Sequence, residues 1–359
     1  MTLFIYNWKT INCNSYNGTM NDDPIICTCE KITQSEIEAS IKAGHRDFRQ
    51  LRQQLNIAAE CGNCYRPIRE LIRAQSPQKG NPAMPKDRHF PMPWKHFSLA
   101  KLEQEYSPSS CVDDITVFIQ EYIDDSKQAK QALPHEADLQ FNHQLGLDYF
   151  PGQPGAPLVV YIHGGYWQEL SKNESCFMAS SVVAKGYHLA VIDYTLAPHA
   201  TIETMIKECC QAIHWIKNQT WRIDSERVVL TGSSAGAHLA ACVLQAAAKS
   251  QYNLTPDTFT KAVLFSGIYD LRPLLETYIN QPLGLDLKRA TQLSPGLANN
   301  TQLPPCKLVW GANETAEFKR QSQQFAHFLE ADGVSCEVFE IAERNHFDVV
   351  YSLASLLDA

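Results

Sequence analysis

The sequence predicts an α/β protein in which a mostly parallel sheet is covered by helices, preceded by a small all-α module. Two observations support this class. From about residue 157 onward, short apolar runs typical of buried strands alternate with helical patterns. Before residue 76, apolar residues recur at helical spacing instead. At 359 residues the chain is long enough for two domains.

A proline-rich stretch sets the predicted boundary between the two parts. Prolines stand at positions 77, 82, 85, 91 and 93, close to Gly80 and with little apolar periodicity. Such composition is typical of a linker. We therefore expect a helical module over residues 25–75, a linker over 76–98 and the α/β domain over 99–359.

The α/β domain is predicted from six strand-like runs with helical segments between them. Because short buried strands that alternate with helices imply a mostly parallel sheet covered on both faces, we expect these strands to form one. The runs are PLVVYIH, HLAVIDY, RVVLTG, KAVLFSG, CKLVWG and SCEVFEIA. The helical segments are FMASSVVAKG, TIETMIKECCQAIHWIKN, AGAHLAACVLQAAAKS and EFKRQSQQFAHFLEADG.

Composition narrows the functional class. Hydrophobic residues make up 44% of the chain and its net charge is −8, which argues against general binding to nucleic acid or anionic lipid. No apolar run reaches the roughly 18 residues of a membrane span, and residues 1–18 lack the pattern of a signal peptide. We expect a cytoplasmic protein without nucleic-acid or membrane partners. Its twelve cysteines are then not a secreted disulfide framework.

A nucleophile elbow is predicted at residues 232–236, GSSAG, which follow the strand RVVLT and precede an alanine-rich helix. Glycines at Gly232 and Gly236 permit a tight strand-to-helix turn from which only Ser234 projects. The helix N-terminus and the backbone N–H of Ala235 can stabilise a developing oxyanion. Without supporting context this motif is weak.

The supporting context is the sequence HGGYW, residues 163–167, at the end of the strand PLVVYIH. Gly164 and Gly165 allow backbone amides to approach a substrate carbonyl, as the second half of an oxyanion hole. Tyr166 and Trp167 either stack on an aromatic substrate or pack beside the cleft. Two such motifs at strand ends indicate a serine hydrolase.

The predicted base is His346, which follows the last strand-like run in RNHFD. The order serine, acid, histidine places the acid between 234 and 346, after a strand. The loop after KLVWG contains Glu314, and Glu317 follows three residues later. We prefer Glu314 because it lies in the loop itself, whereas Glu317 is suited to the N-terminus of the next helix.

Six segments carry a further signal when they are taken together: LEQEYSPSS, HGGYWQELSK, DYTLAP, GSSAGAHL, GANETAEFKRQS and NHF. With them, residues 99–355 resemble the kynurenine formamidase (arylformamidase) family of α/β-hydrolases. The resemblance implies cleavage of N-formylkynurenine to kynurenine and formate in tryptophan catabolism, without a metal, through a formyl-enzyme on Ser234. Ser233 stands where these enzymes often have histidine and Glu314 where they often have aspartate, so a small acyl ester or another aryl amide remains open as substrate.

Two cysteine pairs lie in the helical module, Cys27 with Cys29 and Cys61 with Cys64. Four thiolates suit zinc or an iron–sulfur cluster, and the unequal spacing favours the cluster over zinc or a redox dithiol. The segments ICTCEKITQSEIEASIKAG and CGNCYRPIREL resemble the bacterioferritin-associated ferredoxin family over residues 25–75. That resemblance implies a [2Fe-2S] cluster on these four cysteines.

Three functions are therefore weighed. The first is an aryl formamide hydrolase, the second a carboxylesterase for small acyl esters, and the third an iron–sulfur electron-transfer or redox-sensing protein whose hydrolase part is regulated or vestigial. The expected partner is a small aryl formamide or ester. A redox partner for the N-terminal part and a homodimer are both compatible with the sequence.

Overall fold

The computed structural model describes residues 23–28, 30–45, 48–57, 68, 71 and 92–357. The chain divides into two compact units, residues 1–79 and 80–359. Each unit is described by itself below.

Over its described residues between 23 and 57, the N-terminal unit has a two-stranded hairpin followed by two helices. Strands β1 (Ile25–Cys27) and β2 (Ile32–Thr33) pair antiparallel, and helices α1 (Gln34–Lys42) and α2 (Phe48–Leu55) follow. The strands differ from the expectation of an all-α module, and their β-branched residues explain the difference. Helix α1 begins with a capping box, in which Glu36 accepts a hydrogen bond from Thr33 N at 2.8 Å.

The second unit is built on one eight-stranded sheet. The strands are β3 (Glu136–Gln140), β4 (Gly146–Phe150), β5 (Ala156–Ile162), β6 (His188–Ile192), β7 (Ile223–Ser233), β8 (Lys261–Phe265), β9 (Cys306–Asn313) and β10 (Cys336–Asn345). Their order in the sheet is β10-β9-β8-β7-β5-β6-β4-β3. The strands from β10 to β6 run parallel, while β4 pairs antiparallel with both β6 and β3.

Apolar side chains of the central strands fill a core on each face of this sheet. The helices around it are α3 (Leu99–Glu105), α4 (Ile115–Ala132), α5 (Ala179–Ala184), α6 (Ile202–Lys217), α7 (Ala235–Ala248), α8 (Asn280–Leu283), α9 (Leu287–Gln292), α10 (Ala316–Ala331) and α11 (Leu353–Leu356). In β5, Val160 and Ile162 face one core, which α6, α7 and α10 cover, whereas Val159 and Tyr161 face the other, which α4, α5 and α11 cover. The predicted α/β class is therefore confirmed.

The last part of the predicted linker belongs to the second unit. A 3₁₀ helix spans Pro93–His96, and Trp94 and Phe97 pack against the larger core. Residues 76–91 lie outside the described part of the chain. Among the described helices, none has both the length and the apolarity that a bilayer crossing requires.

Candidate active site

Ser234 occupies a strained turn between β7 and α7. Its φ of 56° and ψ of −119° lie outside the regions that non-glycine residues favour, and its N–H donates to Phe265 O at 2.8 Å. Gly236 lets the turn close, since a Cβ added there would lie 2.1 Å from Ile162 O. These are the features of a nucleophile elbow, with the serine at the carboxyl edge of the parallel sheet.

The turn after β5 lies directly against this elbow. A Cβ added at Gly164 would lie 2.9 Å from Ser233 O and 3.4 Å from Ser234 Cβ. Gly165 has a φ of 94°, a conformation that glycine adopts without strain. Ala235 is the first residue of α7, so its N–H has no partner within the helix. Gly164 and Ala235 thus lie beside Ser234, and Gly165 is the next residue of the same turn.

Glu314 and His346 form a buried pair at the same edge of the sheet. Glu314 Oε2 lies 2.9 Å from His346 Nδ1, and Oε1 accepts hydrogen bonds from Ser266 Oγ and Gly311 N, each at 2.6 Å. The Glu314 side chain has no exposed surface. Because a carboxylate can only accept, Nδ1 carries the proton and Nε2 is left as an acceptor. Such an imidazole can receive a proton from a nucleophile.

Glu317 lies in a different network. Its carboxylate accepts from Tyr106 Oη at 2.8 Å and forms a 2.7 Å ion pair with Arg320. Its own N–H donates to the Glu105 carboxylate at 3.0 Å. Of the two glutamates left open by the sequence, the structure brings Glu314 and not Glu317 to His346.

The two aromatic residues predicted to touch substrate occupy different environments. Trp167 has no exposed surface, and its ring packs edge-on against His238 with 5.1 Å between centroids. Tyr166 is half-buried, and its hydroxyl donates to Tyr106 O. The structure therefore places Trp167 in the core, and only Tyr166 retains exposed surface.

Two further histidines near the elbow are held neutral. Burial lowers the pKa of His163 and of His238 to about 4. His163 Nδ1 contacts Gly164 O at 2.9 Å, and His238 Nε2 contacts Leu293 O at 2.7 Å. Both rings thus bond to backbone carbonyls, a structural role that distinguishes them from His346.

Ser266 was missed by the sequence reasoning. It follows β8, with a φ of 47°, and its hydroxyl bonds the Glu314 carboxylate. Its position at the end of the strand-like run KAVLFSG, in line with the elbow and the acid loop, is the one sequence signal that could have identified it.

Only part of the predicted cluster site is described. Cys27 is 1% exposed, carries a free thiol and packs with Ile37 and Ile41. A sheltered thiol of this kind is compatible with a cluster ligand. Cys29, Cys61 and Cys64 lie outside the described residues, so the four-cysteine ligand set remains a prediction. Among the described residues there is no group of three or more histidine, cysteine, aspartate or glutamate side chains that could hold a metal ion.

Comparison with known proteins agrees with this architecture. Residues 149–329 match the family model BD-FAE, and residues 25–74 match the BFD-like [2Fe-2S] binding domain. Kynurenine formamidase of Danio rerio is 33% identical over 276 residues, covering 72% of this chain and 93% of the fish protein. That of Salmo salar is 33% identical over 285 residues, with the same coverage. Esterase LipW of Mycobacterium marinum superposes with a TM-score of 0.57 at 19% identity, covering 70% of this chain and 85% of that one.

The fold and these relatives define an α/β-hydrolase that acts on amide or ester bonds. Within that class, the chain belongs to the kynurenine formamidase family, with a [2Fe-2S] binding domain of the BFD type added at its N-terminal side.

Proposed function

We propose that this chain hydrolyses an aryl formamide, N-formylkynurenine, to kynurenine and formate, with Ser234, His346 and Glu314 as its catalytic triad. The contact that carries the proposal is the 2.9 Å approach of Glu314 Oε2 to His346 Nδ1, at the sheet edge that also holds Ser234. Two kynurenine formamidases that align over 93% of their own length support the choice of substrate.

In the first half of the reaction, Ser234 Oγ attacks the formyl carbon while His346 Nε2 accepts the hydroxyl proton. The N–H groups of Gly164, Gly165 and Ala235 stabilise the resulting oxyanion. The tetrahedral intermediate collapses as the C–N bond breaks and His346 returns the proton to the departing aryl amine. A formyl ester on Ser234 remains.

In the second half, water replaces the amine. His346 takes a proton from the water, whose oxygen attacks the formyl ester, and then protonates Ser234 Oγ as the ester bond breaks. Formate leaves and the serine is restored. Glu314 keeps the imidazole in the tautomer that both halves need and stabilises the imidazolium formed in each.

A Ser234→Ala variant tests the nucleophile. It should lose turnover of N-formylkynurenine and labelling by an organophosphate reagent, while a Ser233→Ala control, at the last residue of β7, should retain labelling. Labelling of Ser234→Ala at the wild-type rate would overturn the assignment.

A second measurement tests the substrate. The sequence left a small acyl ester open as the rival substrate, so kcat/KM for N-formylkynurenine should be compared with that for a p-nitrophenyl ester. We expect the formamide to be preferred. A strong preference for the ester would replace formamidase with carboxylesterase while leaving the triad intact.

For the N-terminal unit, we infer that Cys27, Cys29, Cys61 and Cys64 hold a [2Fe-2S] cluster, as the match to a BFD-like [2Fe-2S] binding domain suggests. Such a cluster supplies one-electron transfer, which hydrolysis does not use. Iron content and visible absorbance should fall in Cys27→Ser and stay unchanged in the control Cys111→Ser, since Cys111 lies in the other unit. Equal iron in both would refute the ligand assignment. Hydrolysis rates with the cluster oxidised, reduced and removed would then show whether the added domain regulates the enzyme, and identical rates would exclude regulation by redox state.

A further inference from the structure

Residues 102–110, LEQEYSPSS, are called the lead-in segment below. Two consecutive residues of it, Glu105 and Tyr106, contact the start of α10, directly after the proposed acid Glu314. We call this pair the lead-in clamp. We propose that the lead-in clamp positions Glu314 and His346 for catalysis by capping α10 from outside that helix. The inference rests on the proposed triad.

The N-terminus of α10 is capped in an unusual way. Its N-cap residue, Thr315, directly follows Glu314 and makes no side-chain cap. Instead Thr315 Oγ1 donates to Glu105 O at 2.6 Å. The Glu105 carboxylate accepts from Glu317 N at 3.0 Å, which satisfies one of the free N–H groups in the first turn. A residue outside the helix therefore does what the N-cap side chain ordinarily does.

The charge of Glu105 suits this place. A carboxylate at a helix N-terminus interacts favourably with the helix dipole. Glu105 is 6% exposed, so water screens that interaction little, and its other carboxylate oxygen pairs with Lys101 at 2.7 Å. Both bonds to α10 fall within three residues of Glu314, and they hold the acid loop where it begins the helix.

Tyr106 extends the contact to the base. Its buried hydroxyl donates to Glu317 and accepts from Gln321 Nε2, both at 2.8 Å. Its ring lies 6.2 Å from that of Phe318, whose ring in turn packs edge-on against His346 at 4.4 Å between centroids. Movement of Tyr106 would therefore release the aromatic contact that supports the imidazole.

The same residue reaches the oxyanion turn. Tyr106 O accepts a hydrogen bond from the hydroxyl of Tyr166, which follows Gly164 and Gly165. The lead-in clamp thus touches the acid loop directly, the histidine through one ring and the oxyanion turn through one hydroxyl.

The test compares Glu105→Ala with Glu105→Gln. Alanine removes both the acceptor and the charge, whereas glutamine keeps an oxygen that can accept from Glu317 N. We expect kcat of Glu105→Ala to fall by about tenfold to a hundredfold with KM little changed, because a small displacement of catalytic groups costs that much. Glu105→Gln should recover most of the loss. The matched control is Asp332→Ala, which removes a 2.8 Å bond from Asn300 N at the opposite end of the same helix; it should lower thermal stability without lowering kcat.

A spectroscopic readout separates positioning from stability. The proton between His346 Nδ1 and Glu314 should give a far-downfield NMR signal in the wild type. We expect that signal to broaden or disappear in Glu105→Ala and to persist in Asp332→Ala. An unchanged signal and kcat in Glu105→Ala would overturn the inference. If Ser234→Ala were as active as the wild type, the proposed triad itself would be wrong, so the two failures are distinguishable.

Discussion

Replacing Glu314 by glutamine tests the acid–base pair most directly, because it preserves the shape of the side chain. Glu314 Oε1 accepts from Ser266 Oγ and Gly311 N, and Oε2 lies against His346 Nδ1. A glutamine that keeps its oxygen toward the two donors must point its NH₂ group at Nδ1. The imidazole would then accept at Nδ1 and carry its proton on Nε2, where Ser234 requires an acceptor.

The expected loss follows from this change of tautomer. A triad histidine held in the wrong tautomer loses about 10⁴-fold in kcat, or about 5.4 kcal/mol of transition-state stabilisation. Rotating the amide by 180° would turn its oxygen to His346 Nδ1 and restore the wild-type tautomer. It would, however, place the NH₂ group against the two donors Ser266 Oγ and Gly311 N, which is also unfavourable. Steady-state turnover of N-formylkynurenine measures kcat, and thermal unfolding should show that Glu314→Gln remains folded.

Glu317→Gln is the comparison that makes the experiment decisive. It weakens the buried ion pair with Arg320, at a cost of up to about 3 kcal/mol in stability. Since its backbone N–H and one carbonyl oxygen remain, kcat of the folded variant should stay close to wild type. A Glu314→Gln variant with more than about a tenth of wild-type kcat, or a 10⁴-fold loss in Glu317→Gln, would refute the reasoning.

Three further outcomes are expected. Ser266→Ala removes one donor to the buried carboxylate and should lower kcat by about tenfold, as judged by the same turnover assay, since a hydrogen bond to a charged group contributes about 1.5–3 kcal/mol; kcat equal to wild type would show that Gly311 N alone holds Glu314. Burial lowers the pKa of His163 and His238 to about 4. Below about pH 6.5 the unfolded chain therefore binds protons that the folded state does not, so stability is highest above pH 6.5 and falls as the pH drops toward 4. At pH 5 the loss is about 2 kcal/mol for each histidine, so His238→Gln should narrow by about that amount the difference between urea unfolding at pH 7 and at pH 5. An unchanged difference in His238→Gln would contradict this. Gly236→Ala should fail to fold stably, because its Cβ would lie 2.1 Å from Ile162 O, and a thermal midpoint near wild type would disprove the close packing of the elbow.

The central parallel strands could be predicted from sequence because they are buried on both faces. Runs such as PLVVYIH and KAVLFSG are apolar without interruption, and both form strands, β5 and β8. The antiparallel edge, β3 and β4, was not predicted. Its strand β4 includes Asp148, which has no exposed side-chain surface and pairs with Lys130 and Lys172 at 2.7 and 2.9 Å. A charged residue inside a strand breaks the apolar pattern by which a buried strand is predicted. The partners that make its burial favourable come from elsewhere in the chain, so the local sequence does not show them.

The residues of the candidate site also differ in whether the sequence alone can identify them. Ser234, Gly164 and Gly165 lie in local motifs whose strand-end context is visible in the sequence, and the structure places them together. Ser266 has no local motif. Its role depends on the register of β7, β8 and β9, which sets the residue after β8 beside the acid loop. Pairing of distant strands is a tertiary property, so a single sequence does not display it.

The choice between Glu314 and Glu317 shows how far the sequence can assign the acid, because its place in the loop favoured Glu314 but did not exclude Glu317. Both follow the same strand, three positions apart at the start of one helix, and each is a plausible carboxylate by local criteria. Tyr106 distinguishes them, since its hydroxyl binds Glu317 from 211 positions earlier in the sequence and commits that side chain to Arg320 and the lead-in segment. Glu314, bound instead by Ser266 and Gly311, is left facing His346. The contacts of the lead-in segment thus hold Glu317 away from His346 and leave Glu314 beside it, and these contacts form only in the folded chain.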